Sequence, residues 1–375
     1  MSVLTRYLNR MFLVRLAVVM FAIMGFAIVV DLLDVAEDLA REPGGALPAS
    51  LRYVGLRLPI MFSELLPVAS LIAGLLAVAD LLRHRELVVI WSSGVRPITV
   101  LRLLLPAGLL LVGAKFAVDD IALPRATTAL RTWGIGEYRH QVMEGQSGPY
   151  YWLRSGADVV RVSANAVSAG ALRDVTVFRR DPAGILTERL DAPKAEVIAG
   201  GWRLLDVTQR IIAGRQIAHL PTLDLPEVVD LEHIQLMARP PRELTLLQLG
   251  QITAAGGYGL RAIEPYRTWM HQRIAGAFIP MLLMMLAFAL VRSFSRTASI
   301  APVFLTAVGT GFTFLIVGGV ASALGEVGLL SPLLAAWSPT VVLATIVLGL
   351  ALRDGAARPR PAGVQPVGAR ASGRG

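Results

Sequence analysis

The sequence contains no cysteine and is poor in charged residues. Without cysteine, disulfides, Cys-ligated zinc and thiol catalysis are excluded. Charged residues make up 17% of the chain, whereas soluble domains contain about 25%. Hydrophobic residues account for 54% of it. This composition predicts an integral membrane protein before any motif is considered.

Motifs that carry catalytic chemistry are also absent from the sequence. There is no G-x-x-x-x-G-K-[ST] run, so the chain lacks a P-loop and we expect no ATP hydrolysis by it. There is no H-E-x-x-H, and the 5 histidines do not have the spacing of a metal site. Residues 145–148 do not match the G-x-S-x-G motif of a nucleophile elbow. We therefore expect no catalytic residues, no metal and no cofactor in this chain.

The formal charge of +9 comes almost entirely from arginine. These arginines cluster at the ends of hydrophobic segments and in the C-terminal tail. No basic groove with interleaved aromatic residues is recognisable, so we expect no nucleic-acid partner. The charge pattern instead indicates orientation in a membrane.

Six hydrophobic segments are long enough to cross a bilayer, which needs about 20 apolar residues in a helix. The first is too long, and too poor in small residues, to be a removable signal peptide. The predicted spans are residues 11–33, 58–82, 99–122, 268–291, 301–324 and 332–352.

The loops between the spans predict their orientation. Arginines follow spans two, four and six, whereas the loop after span one is mainly acidic. By the positive-inside rule, both termini lie in the cytoplasm and residues 123–266 are extracytoplasmic. Residues 1–122 and 267–352 then form two groups of three transmembrane helices. The tail, residues 353–375, is rich in Gly, Pro, Ala and Arg, and we expect it to be disordered.

The middle segment changes from helical to alternating patterns. Between about residues 150 and 225, short runs of β-forming residues alternate with turn signals at spacings of about 8–12 residues. Such spacing is typical of a sandwich, a jelly roll or an open barrel. A helical connector at residues 242–255 leads back to span four.

The loop between spans two and three is unusual for a cytoplasmic loop. Residues 83–94 read as a short amphipathic helix that begins near Arg83 and ends at Gly94, where Gly is a favoured stop. Its charged part includes Arg85 and Glu86, and its apolar part includes Leu87 and Trp91. The apolar part suits contact with the membrane or with a partner.

These features resemble the permease subunits of the lipopolysaccharide exporter, the LptF/LptG (YjgP/YjgQ) family. The resemblance rests on TRYLNRMFL (5–13), on RHRELVVIWSSG (83–94) and on GGYGLRAIEPYRTWMHQRIAGAFIP (256–280). It extends over nearly the whole chain. Residues 31–39 and 266–280 make the chain more similar to LptG than to LptF.

The resemblance implies an ATP-driven ABC exporter in the Gram-negative inner membrane. One such permease pairs with its homologue, an LptB homodimer supplies ATP and Mg, and lipopolysaccharide passes to the periplasmic bridge of LptC and LptA. It implies a periplasmic jelly roll. It further implies that residues 83–94 form the coupling helix, in which Glu86, flanked by Arg83 and Arg85, couples to the ATPase.

Charged residues at membrane depth are costly and mark functional positions. Glu64 in span two either lines a cavity or hydrogen-bonds a neighbouring helix. Lys115 forms either an i,i+4 pair with Asp119 or a contact to a lipid phosphate. Basic residues near the outer ends of spans two and four either contact phosphates of the substrate or snorkel to headgroups. These are Arg52, Arg57, Arg267, His271 and Arg273.

The acidic end of span one departs from the family pattern. Some members have basic residues there that contact lipopolysaccharide, whereas this chain has Asp31, Asp34, Glu37 and Asp38. Two alternatives to transport stay open on the residues alone. One is a membrane enzyme acting on lipids or glycans, with Glu64 or His271 as the acid or base. The other is a non-transport membrane protein whose β domain binds a partner.

Overall fold

A computed structural model of the chain gives the positions of the helices and strands. The structure describes residues 3–93, 95–136, 138, 150–155, 158–163, 172–181, 184–198, 201–212, 216–226, 236, 239–254, 262–290 and 301–353. The predicted disordered tail lies outside these residues, except for residue 353.

The first helical group contains three long helices joined by short ones. At 1.5 Å per residue, the 38 residues of α3 extend for about 57 Å and continue past both ends of the predicted span. The fifth helix runs through a π turn, Val118–Ala122, directly into the sixth. The helices are α1 Val3–Asp34, α2 Ala36–Ala40, α3 Ala46–Arg83, α4 Glu86–Ser92, α5 Pro97–Ala117 and α6 Leu123–Trp133.

The second helical group follows the β domain. A 3-10 turn, Pro241–Glu243, and α7 (Leu246–Ala254) occupy the predicted connector. The predicted span four is a pair of helices, α8 (Glu264–Ala277) and α9 (Ile279–Leu290), bent by 41°. The last helices are α10 Ala301–Glu326 and α11 Pro332–Arg353.

Among the described residues, 5 helices and this bent pair are long and apolar enough to span a membrane. They agree with the predicted six spans, although the bend was not foreseen. Helix α9 is the most deeply buried of them, with residues 282–290 all inside the bundle. Glycines allow its close approach: a Cβ at Gly74 would lie 2.9 Å from that of Ala287.

The β domain is a single antiparallel sheet of six strands in sequential order. This confirms a helical membrane protein with an inserted β domain. The strand order, which the sequence left open, is a meander without crossovers among the described strands. The strands are β1 Tyr150–Ser155, β2 Asp158–Ser163, β3 Leu172–Arg180, β4 Leu186–Ile198, β5 Gly201–Ile211 and β6 Gln216–Pro226.

Regular strand geometry is interrupted at one position across three neighbouring strands, β3, β4 and β5. Asp174 in β3 and Asp206 in β5 both have positive φ, and the register places both opposite Pro193 of β4. Proline has no N–H to donate to the hydrogen bonds between strands. At this position the side chains no longer alternate regularly between the two faces of the sheet. Leu172 and Val175 are therefore both buried, although they are three residues apart.

Candidate functional site

An ion pair joins α1 to α3 at the end of the bundle nearer the sheet. Arg57 donates from Nη2 to Asp31 Oδ1 at 2.7 Å and from Nε to Oδ2 at 2.8 Å. Tyr53 donates its hydroxyl to the same carboxylate at 2.8 Å. The acidic end of span one therefore neutralises a basic residue of span two, which sequence reasoning missed.

Two aromatic residues complete this cluster. The Arg57 guanidinium lies 3.4 Å from the Tyr138 hydroxyl, and burial raises the pKa of that phenol above its ordinary value. Arg52 is exposed, and its guanidinium stacks 4.3 Å above the ring of Trp133 at the end of α6. Arg57 is thus fully engaged within the chain, and Arg52 is held in place by a weaker contact.

A second cluster links α5 to α3 near the π turn. Lys115 Nζ lies 2.6 Å from Asp119 Oδ2 and donates to Ser63 Oγ at 2.7 Å. The Ser63 hydroxyl donates to Asp119 Oδ1 at 2.5 Å. Both charged side chains are only 12% exposed. Of the two interpretations of Lys115, the structure contains the i,i+4 pair.

Arg273 binds backbone and is 5% exposed. It donates to the carbonyl of Asp119 in the π turn and to the carbonyls of Arg242 and Leu244 in the connector. These contacts tie α8 to both segments that connect the bundle with the sheet. Arg273 therefore donates to backbone carbonyls within the chain, whereas the sequence predicted contact with substrate phosphates or snorkelling to headgroups.

A buried ion pair fastens the same two segments to each other. Arg131 of α6 donates two hydrogen bonds of 2.9 Å to Glu243, whose side chain is 3% exposed. Asp120 accepts a hydrogen bond from the backbone N–H of Leu246 at the start of α7. The outgoing and returning connections to the sheet therefore form one unit.

The other predicted substrate residues have no partner in the described part of the chain. The side chain of Glu64 is exposed on α3, and neither a hydrogen bond nor an ion pair joins that side chain to another described residue. The same holds for Arg267, which is exposed, and His271, which is half-buried. Arg267 and His271 are four residues apart on α8 and so share one face.

The opposite end of the bundle contains the predicted coupling helix. It is shorter than expected, because α3 continues through Arg83 and the new helix, α4, begins at Glu86. Arg85 has φ of 57° in the turn between them, an uncommon conformation for a residue other than glycine. Arg83 and Arg85 are exposed. The side chains of Leu87 and Trp91, and all of Gly94, lie outside the described residues.

Two polar contacts join α1 to this end of α3 and to α4. Tyr7 donates its hydroxyl to Glu86 Oε2 at 2.7 Å. Arg15 of α1 forms an ion pair with Asp80, one turn before the end of α3. A cavity of about 140 Å³ lies between these residues. Sequence reasoning missed Tyr7, Arg15 and Asp80, although two ionisable residues inside apolar runs are a recognisable signal.

The comparison with known families matches almost the whole chain. Residues 6–353 match the family described as lipopolysaccharide export system permease LptF/LptG. The chain belongs to the LptF/LptG family. A comparison with curated proteins finds no match.

Membership in the LptF/LptG family makes this chain a subunit of a lipopolysaccharide export permease and a multi-pass inner-membrane protein. The match confirms the predicted family without separating LptF from LptG. The matched range also includes all the residues whose contacts are described above, from Tyr7 to Arg273.

Replacing Glu243 with Ala should lower the free energy of unfolding of the protein by about 3 kcal/mol, because the change leaves Arg131 buried without a counterion. Thermal unfolding of the purified protein in detergent measures the effect. Asp224→Ala is the matched control, since Arg203 also donates two hydrogen bonds to Asp224 but the pair is exposed. Equal shifts for the two variants would refute a structural role for the buried pair.

Proposed function

We propose that this chain is an LptG-like permease that extracts lipopolysaccharide from the outer leaflet of the inner membrane. It pairs with a homologous LptF-like permease and passes the lipid through its β domain to the LptC and LptA bridge. The observation that carries the proposal is the family match over residues 6–353. The chain transports and does not catalyse; an LptB homodimer binds ATP and Mg and hydrolyses the nucleotide.

The orientation of the proposed subunit follows from its arginines. Arg83, Arg85 and Arg96 flank α4, and the positive-inside rule assigns such loops to the cytoplasm. Both termini are then cytoplasmic and the sheet is periplasmic. Helix α4 is thereby exposed to a cytoplasmic ATPase, and the sheet to a periplasmic bridge.

The polar contacts supply a route for motion between the two sides. Helix α4 follows α3 after a two-residue turn, and Tyr7 joins it to α1. Ion pairs then hold α1 against α3 near both ends, at Arg15–Asp80 and at Asp31–Arg57. A displacement of α4 by the ATPase would therefore move together the parts of α1 and α3 that lie between these two ion pairs.

Arg267 and His271 are the best candidates for substrate contact. Arg57 and Arg273 are occupied by partners within the chain, and Lys115 is paired with Asp119. A guanidinium without a carboxylate partner suits the phosphates of lipopolysaccharide, since arginine can bind phosphate with two hydrogen bonds. We propose that Glu64 faces the cavity between the two permeases, where an exposed carboxylate at membrane depth can be solvated.

The membrane-enzyme alternative gains no support from the described residues. The membrane-enzyme hypothesis needs Glu64 or His271 within a convergent set of catalytic groups. Neither side chain forms a hydrogen bond with another of the residues that the structure describes.

Affinity purification of the chain in mild detergent tests the assembly. We expect a small ABC-type ATPase and a homologous permease to co-purify, because the family functions in such a complex. Recovery of the chain without any ATPase would contradict the proposal.

Replacing Glu86 with Ala should abolish ATP-dependent lipopolysaccharide release from proteoliposomes. Tyr7→Phe should weaken it about tenfold, the effect expected for one hydrogen bond to a charged group. Glu37→Ala is the control, because Glu37 is an exposed carboxylate near the other end of α1. Unchanged release from an intact Glu86→Ala complex would exclude the coupling role.

Replacing Arg267 with Ala should reduce photocrosslinking of lipopolysaccharide to the complex, and Arg267→Lys should restore it only in part, because lysine cannot form the bidentate contact. Arg41→Ala is the control, since Arg41 is 72% exposed and pairs only with Glu37 among the described residues. Equal crosslinking by the Arg267→Ala and Arg41→Ala variants would remove Arg267 from the substrate path.

A further inference from the structure

A cleft of about 370 Å³ lies between the bent pair α8–α9, α10 and α11, away from both clusters described above. Small residues of α10, including Gly318 and Gly319, form one wall, and Phe314 and Ile279 lie at one end. A Cβ at Gly319 would meet nothing within 4 Å. A Cβ at Gly318 would lie 4.0 Å from Cβ of Pro339 in α11. Gly319 therefore opens this part of the cleft, and Gly318 lies beside the wall formed by α11.

The length of the cleft matches one leaflet of a bilayer. Phe314 and Glu326, which line its two ends, are separated by 12 positions of α10, or about 18 Å at 1.5 Å per residue. Half of a hydrocarbon core about 30 Å thick is about 15 Å. The volume lies near the lower end of the range of about 300–1,000 Å³ for ligand pockets. These dimensions suit a single acyl chain.

The polar end of the cleft carries hydrogen-bond acceptors. Trp269 donates from Nε1 to Glu326 Oε1 at 2.7 Å. Gln272 Oε1 is buried and accepts no hydrogen bond from any described residue. The described residues that line the cleft include a carboxylate but no Lys, Arg or His. A tryptophan at the end of a span is typical of the membrane interface, so this mouth lies at headgroup depth.

We propose that this cleft binds one acyl chain of an ethanolamine phospholipid, whose ammonium group contacts Glu326 and Gln272. The carboxylate supplies the opposite charge, and the unpaired amide oxygen accepts a further hydrogen bond from the ammonium. A headgroup without a cation would place its phosphate beside Glu326 with no compensating charge. The proposal goes beyond export, because it assigns a resident lipid that is separate from the transported one.

The experiment uses the purified complex, reconstituted in nanodiscs that contain equal amounts of phosphatidylethanolamine and phosphatidylglycerol. Native mass spectrometry after extraction counts the lipids that remain bound. We expect phosphatidylethanolamine to be retained in preference to phosphatidylglycerol. Glu326→Gln should reduce that retention about tenfold, the loss expected for one charge-assisted hydrogen bond. Glutamine keeps an acceptor for Trp269, so this variant should still fold.

A second pair of variants tests the apolar part. Gly319→Leu should fill the cleft and displace the acyl chain, whereas Gly309→Leu should not. Gly309 lies on the same helix, has equal room for a side chain and does not line the cleft. Equal retention of the two lipids, or retention unaffected by Glu326→Gln and Gly319→Leu, would overturn the proposal. So would crosslinks from position 319 to lipopolysaccharide or to the partner permease.

Discussion

Charges within an apolar bundle need partners, and this requirement determines how the helices of the protein are joined. An uncompensated charge at membrane depth is costly, so ionisable residues there pair with one another or with backbone. In this chain Asp31 pairs with Arg57, Asp80 with Arg15, and Asp119 with Lys115. Each pair crosses from one helix to another or spans one turn, and the first two hold α1 and α3 together near both ends.

The same requirement connects the bundle to the sheet. Arg273 supplies donors to carbonyls of the π turn and of the connector, and Glu243 neutralises Arg131 between the outgoing and returning segments. The six-stranded sheet is therefore attached to the helical bundle through connecting segments whose charged side chains are mostly buried. Helix α4 is attached at the other end through Tyr7 and a tight turn at Arg85. Motion at one end has a continuous physical path to the other.

Sequence reasoning succeeded where the signal is local. Hydropathy is summed over about 20 residues, so the spans were predicted, and period-two alternation with turn residues predicted the strands. The Lys115–Asp119 pair was foreseen as one of two alternatives because its members are four residues apart. The start of α4 was misplaced because nothing in the sequence signals that α3 continues through Arg83 and that Arg85 adopts a positive φ.

The contacts that the sequence could not predict join residues far apart in the chain. For Arg57 and Arg273 the sequence predicts phosphate contact or snorkelling, because their partners within the chain are distant in sequence. Asp31 lies 26 residues from Arg57, and two carbonyls that Arg273 binds lie 29 and 154 residues from it. Spacing carries no information about such pairs. Tyr7 escaped notice for the same reason, since Glu86 is 79 residues from it.

The proposed coupling to a partner ATPase requires α1, α3 and α4 to move as one body. The absence of cysteine allows single cysteines to be introduced in pairs for spin labels without removing any native residue. Distances should be measured by double electron–electron resonance between exposed positions 18 of α1 and 76 of α3, in the nucleotide-free and ATP-bound complex. We expect this distance to stay constant while the distance from position 76 to position 342 of α11 changes. A change in the α1–α3 distance on ATP binding would contradict it.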